Sequence, residues 1–243
     1  MPGTRTPAFD VVALDADDTL WHNEPIFTAT QERFRALLTP YHDAAWIDER
    51  LYAAEKRNLQ HFGYGVKGFA LSMIETAIEL TEGRIAGSEV QRIVDMGREM
   101  LTAPVELLDG VAETVEALAE NHRLMLLTKG DLFDQEAKLA RSGLGDHFSA
   151  IEIVSEKDAR TYAGVIARHR IDPPRFVMVG NSLKSDVLPV LQAGGAAVHI
   201  PYAITWIHEQ VPDEALQGKE FARLESIRQL PGWLMGGGSG HGS

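Results

Sequence analysis

Five short stretches of this chain are predominantly apolar, Phe9 to Leu14, Arg123 to Thr128, Ala150 to Val154, Arg175 to Gly180 and Ala196 to Ile200, and the first four run directly into polar residues. A strand with one face in water alternates apolar and polar residues, whereas a strand covered on both faces reads as a near-continuous apolar run. These runs therefore predict strands of a sheet covered by helices on both sides. The intervening segments carry helical spacing: Val111 to Asn121, Leu132 to Gly143, Arg160 to Arg170 and Ser185 to Gly194. Gly143 and Gly194 stand where helix C-caps belong. Pro189 falls inside the last of these segments, and a first helical turn accommodates it. Strand and helix in alternation specify an α/β fold, a doubly wound and mostly parallel sheet.

One block breaks the alternation. Between Pro25 and Ala103 no strand pattern occurs, and four helices are expected, Ile26 to Leu38, Asp43 to His61, Lys67 to Thr81 and Ser88 to Thr102. The stretches "TPYHD", "FGYGV" and "EGRIAGS" between them have turn chemistry. The expected organisation is a core from residues 1–23 and 104–235, an inserted helical domain at 24–103, and a flexible Gly/Ser tail at 236–243.

The strand ends carry the chemistry, because an open parallel sheet binds its ligands beyond the carboxyl ends of its strands. The first run ends in Asp15-Ala16-Asp17-Asp18-Thr19 and the second in Thr128-Lys129-Gly130-Asp131. The third is followed by Ser155-Glu156-Lys157-Asp158, and the fourth by Asn181-Ser182-Leu183-Lys184-Ser185-Asp186. Carboxylates crowded after a buried strand repel one another and call for a cation or a reaction that uses them. Composition narrows the field. The formal net charge of -12 disfavours a nucleic-acid backbone as partner, and the absence of cysteine excludes disulfides, thiol nucleophiles and thiolate metal sites. No apolar segment suggests a leader peptide or a membrane span, so a cytoplasmic protein with a small-molecule partner is expected. The nine histidines show no metal-ligand spacing, and "GYGVKG" lacks the strand-turn-helix context of a dinucleotide fingerprint.

Taken in order, "LDADDTLW", "LLTKG", "SEKD" and "VGNSLKSD" resemble the four motifs of the haloacid dehalogenase superfamily of hydrolases, and the helical insert sits where that family carries its first class of cap domain. The resemblance covers Phe9 to Pro201 and implies a Rossmann-like core with a helical cap. It implies that Asp15 is a nucleophile forming an aspartyl-phosphate. Asp17 would protonate the leaving alkoxide and then deprotonate water. Thr128 would hold the transferring phosphoryl group, Lys129 would lie on the substrate side, and Lys157 would neutralise charge on Asp15 and the phosphoryl oxygens. Mg²⁺ would be held by Asp15, the main-chain carbonyl of Asp17, Asp186 and position 181. Two positions depart from the pattern. Asn181 replaces an aspartate, so the amide brings an oxygen without a charge. Asp18 replaces the usual glycine and is expected to adopt an unusual turn conformation.

The implied activity is Mg²⁺-dependent hydrolysis of a small phosphate monoester: a nucleotide, a sugar phosphate or an organic-acid phosphate. Two alternatives remain open. A 2-haloacid dehalogenase needs no metal and carries Asn near this position, but halide leaves without a proton and such enzymes lack the second aspartate. A binding module that keeps the fold without turnover is the other.

Overall fold

The computed structural model describes residues 9–204 and 209–236. The N-terminal segment before Phe9 and the expected Gly/Ser tail from 237 onward lie outside the described residues.

Six strands form one sheet: β1 (Val11–Leu14), β2 (Arg123–Lys129), β3 (Ala150–Val154), β4 (Phe176–Gly180), β5 (Ala196–His199) and β6 (Ala222–Arg223). Their order is β3-β2-β1-β4-β5-β6, and every pairing is parallel. β1 is central, with Leu14 in register with Leu126 of β2 and with Val179 of β4. The chain runs from β1 outward on one side through β2 and on the other through β4, so the strand order reverses at β1.

The period of two explains the continuous apolar runs. Val12, Leu14, Leu124, Leu126, Val177 and Val179 enter one apolar cluster, while Val11, Ala13, Met125, Leu127, Phe176 and Met178 enter the cluster on the other face. β3 is the exception to two-sided burial. It is an edge strand, and its Ile151 is 47% exposed. β6 has two residues, too few for a periodic signal.

The described residues divide into two compact units, an α/β unit (9–22, 105–129, 138–204 and 209–236) and a helical unit (Asn23–Pro104, Gly130–Ala137). The helical unit contains α1 (Glu24–Leu38), α2 (Ala44–Phe62), α3 (Val66–Leu80) and α4 (Gly87–Thr102). They close around Phe34, Ile47, Leu51, Met73 and Ile93, all fully buried. The sequence does not announce that Gly130–Ala137 groups with these helices. Lys67 ties it there: its ammonium lies 2.9 Å from Asp131 and 5.5 Å from the ring centre of Phe133.

The remaining helices among the described residues are α5 (Val111–Ala119), α6 (Leu132–Ser142), α7 (Ala159–Arg168), α8 (Leu188–Gln192) and α9 (Leu230–Met235). A π-helical turn at Leu183–Val187 leads into α8, whose first turn holds Pro189. The same turn brings Asp186 back against the end of β4. A Cβ on Gly180 would lie 2.2 Å from the Asp186 carboxylate, so only glycine fits. Gly180→Ala should therefore push Asp186 out of place and lower the unfolding free energy by about 1–3 kcal/mol. Denaturant titration checks this, and an unchanged midpoint would contradict the close approach.

Candidate active site

The loop after β1 is shaped by its own backbone. The amides of Thr19 and Leu20 bond to the carbonyl of Ala16 at 3.2 and 2.7 Å, and the amide of Asp18 to the carbonyl of Trp21 at 2.8 Å. Closing so tight a turn puts Asp18 at φ 60°, the left-handed region that aspartate tolerates better than most residues. The amide of Asp15 bonds to the carbonyl of Val179 at 2.9 Å, which holds the loop's first residue to β4.

Three of the four strand ends meet in one ion cluster. The Lys157 ammonium lies 2.5 Å from Oδ1 of Asp15 and 2.7 Å from Oδ1 of Asp186. All three side chains are buried. A buried ammonium or carboxylate is costly unless paired and hydrogen-bonded, and here one cation serves two anions. Burial pushes the Asp15 carboxyl up, Lys157 pulls it down, and the nearby charge of Asp186 pushes it up again, leaving it at about 7. Burial lowers Lys157, but its two carboxylate partners more than reverse this and hold it above its ordinary value. The other Asp186 oxygen accepts the amide of Ser182 at 2.9 Å.

Thr19 links the first loop to the fourth. Its Oγ1 accepts the amide of Asn181 at 3.1 Å, and its hydroxyl lies 3.3 Å from Oδ2 of Asp15 and 3.2 Å from Oδ1 of Asn181. Thr128 is buried on β2 opposite Ile153. Asp17 makes a separate group: Trp21 Nε1 donates to its Oδ1 at 2.7 Å, and the Lys138 ammonium reaches its two oxygens at 3.0 and 3.1 Å.

Lys129, expected on the substrate side, is drawn into an ion pair with Glu209 at 2.6 Å and donates to Ser185 Oγ at 3.0 Å. Glu209 also accepts the hydroxyls of Ser182 and Ser185. Burial raises Glu209, but Lys129 and the two hydroxyls outweigh it and hold the carboxyl below its usual range. Lys129, Ser182 and Ser185 each neighbour in sequence a residue expected in the site, namely Thr128, Asn181 and Asp186. Glu209 thus fastens the β2 and β4 loops together. Sequence reading misses it because it follows no strand end. Lys138 is missed because a lysine on a helix ordinarily reads as a solvated residue.

The donors are suited by chemistry to a hard cation. They are oxygen atoms alone, from Asp15, Asp186 and Asn181, and with Asp15 ionised two buried carboxylates face one ammonium. Among the described residues no group of three or more His, Cys, Asp or Glu side chains converges, so Asn181 and main-chain oxygen would have to complete the set.

The sequence matches the family model of haloacid dehalogenase-like hydrolases over residues 9–194. The chain belongs to that family. A haloacid dehalogenase-like family hydrolase from Xanthomonas campestris has a crystal structure that superposes with a TM-score of 0.85 at 43% identity, covering 98% of this chain and 94% of that one. The pyrimidine 5'-nucleotidase of Escherichia coli is 26% identical over 171 residues, 64% of this chain and 72% of its own length. The mouse N-acylneuraminate-9-phosphatase is 30% identical over 135 residues, 53% of this chain, and the match spans about half of that relative (52%). The haloacid dehalogenase-like assignment makes this chain a hydrolase, with its Rossmann-like sheet as expected from the strand pattern. Among the described residues no helix is long and apolar enough to cross a membrane.

The cluster gives a pH signature. Unfolded, Asp15 titrates near its ordinary 3.8, and folded and metal-free at about 7. Between those values the folded protein keeps a proton that the unfolded chain releases, so Asp15 makes folding less favourable as pH rises through that window. Asp15→Asn cannot ionise. Metal-stripped, it should gain stability relative to the parent as pH rises from about 4 to about 7, with the difference levelling off above. Chemical unfolding of both proteins across that range is the check, and a pH-independent difference would contradict the raised value.

Proposed function

We propose that this hydrolase is a Mg²⁺-dependent phosphatase that acts on a small phosphate monoester through an aspartyl-phosphate on Asp15. The observation that carries the reading is the Lys157 bridge between Asp15 and Asp186, with a second carboxylate, Asp17, two residues along the same loop. An oxygen of Asp15 attacks phosphorus while the ester P–O bond breaks. Asp17 gives its proton to the departing alkoxide, and in the second step takes a proton from the water that attacks phosphorus and releases inorganic phosphate. Lys157 neutralises charge on Asp15 and on the phosphoryl oxygens, and Thr128 offers its hydroxyl to the same group, helped by backbone N–H groups around Lys129. When bound by Asp15, Asp186, Asn181 and the carbonyl of Asp17, Mg²⁺ would neutralise charge that accumulates on the phosphoryl oxygens.

The names of the two sequence relatives, a nucleotidase and a phosphatase, favour the same chemistry. They make nucleoside monophosphates and sugar-acid phosphates the first compounds to assay. We assign selection of the leaving group to the helical unit, which is inserted between β1 and β2 and serves as the cap. Asn181 favours one competing reading, a 2-haloacid dehalogenase activity without metal. Asp17 argues against it, because halide needs no proton.

The discriminating experiment is a panel of phosphate monoesters assayed with Mg²⁺ and with a chelator, alongside halide release from 2-haloacids. The phosphatase reading expects phosphate release that the chelator abolishes. Halide release with no phosphate release would overturn it. Asp15→Asn should retain less than about a tenth of the parent activity, a loss of more than about 1.4 kcal/mol of transition-state stabilisation. Freshly purified protein is needed, since asparagine can deamidate back. Asn181→Asp should lower the Mg²⁺ concentration for half-maximal activity by roughly 5–30-fold, the equivalent of about 1–2 kcal/mol. Asp186→Asn should raise it. Titration curves of both variants that overlay the parent would remove positions 181 and 186 from the metal site.

A further inference from the structure

Asp17 is a short side chain with two rotatable bonds, and three donor contacts fall on its two oxygens. The Lys138 ammonium straddles both oxygens and sets the plane of the carboxylate. The Trp21 indole N–H, at 2.7 Å, sets its rotation. Both donors are themselves anchored. The Trp21 ring is 1% exposed and shares an apolar cluster with Leu139, the residue after Lys138 on α6. Lys138 is 8% exposed, and an ammonium so buried is tolerated because it is paired. A carboxyl that gives a proton to the leaving group and takes one from water is effective only when held within reach of those atoms. Here the ammonium must yield one of the two oxygens for that oxygen to carry the proton, while it and the indole keep the group in place.

We propose that Lys138, together with the indole of Trp21, is a positioning residue that aims the Asp17 carboxylate at the leaving group. The inference rests on the reading of Asp17 as the proton donor of a phosphatase. It assigns work to a helix residue that no motif marks.

Aryl phosphates graded from phenyl to 2,4-dinitrophenyl phosphate provide the test, because dinitrophenolate departs without a proton and phenolate benefits from one. Lys138→Met keeps the side-chain volume and removes the charge. It should slow phenyl phosphate about 10–100-fold more than dinitrophenyl phosphate, so that kcat depends more steeply on leaving-group acidity. Trp21→Phe keeps most of the ring and removes the N–H, and should shift the dependence in the same direction by less. Lys138→Arg should restore part of the loss, since a guanidinium can span the same two oxygens. Equal slowing of both esters in Lys138→Met and Trp21→Phe would overturn the inference and reduce Lys138 to a structural role. A parent enzyme that hydrolyses neither ester, with or without Mg²⁺, would overturn the phosphatase reading and this inference with it.

Discussion

A single ammonium placed between two buried carboxylates is the constraint on which the site depends. Lys157 reaches Asp15 from the end of β3 and Asp186 from the same side, so the loops after β1, β3 and β4 cannot shift independently. Removing Lys157 would leave two buried carboxylates without a counter-charge, which is far costlier than losing a surface ion pair. The sheet makes the arrangement possible. β1 lies between β2 and β4 in one parallel ladder, and its strand end is therefore flanked on both sides by other strand ends. The close fit of Gly180 against Asp186 shows how little room the fourth loop has to do otherwise.

Around this centre stands a ring of contacts that orient it without joining it. Thr19 ties the first loop to Asn181, Glu209 ties Lys129 to Ser182 and Ser185, and Lys138 with Trp21 grips Asp17. Each uses a buried polar group that is costly alone and stable only when bonded. Lys129 illustrates the consequence. Its charge is taken up by Glu209, and the pair holds two segments of the chain together.

Much of this was legible in the chain. Continuous apolar runs mark the strands because burial on both faces removes the polar half of the alternation, and the block from Pro25 to Ala103 reads as helices because it lacks a strand pattern and turn chemistry divides it. Asp15, Asn181 and Asp186 follow strand ends in the sequence, and the parallel ladder brings those strand ends side by side. Asp18 stands where the sequence asks for a turn residue, and its φ is 60°. Other features left no local trace. β6 is too short to show a period, and Gly130–Ala137 joins the helical unit through Lys67, a partner distant in sequence. Glu209 and Lys138 acquire their meaning only from long-range contacts, and no spacing along the chain encodes those.

The claim at the centre is that Asp15 takes the phosphoryl group covalently. Rapid quenching of the enzyme during turnover of a phosphate ester, followed by borohydride reduction and peptide mapping, tests it most directly. An acyl phosphate at Asp15 is reduced to the corresponding alcohol, so homoserine should appear at position 15 and at no other aspartate. Turnover with Asp15 recovered unmodified, or with the reduced residue at Asp17 or Asp186, would contradict the account.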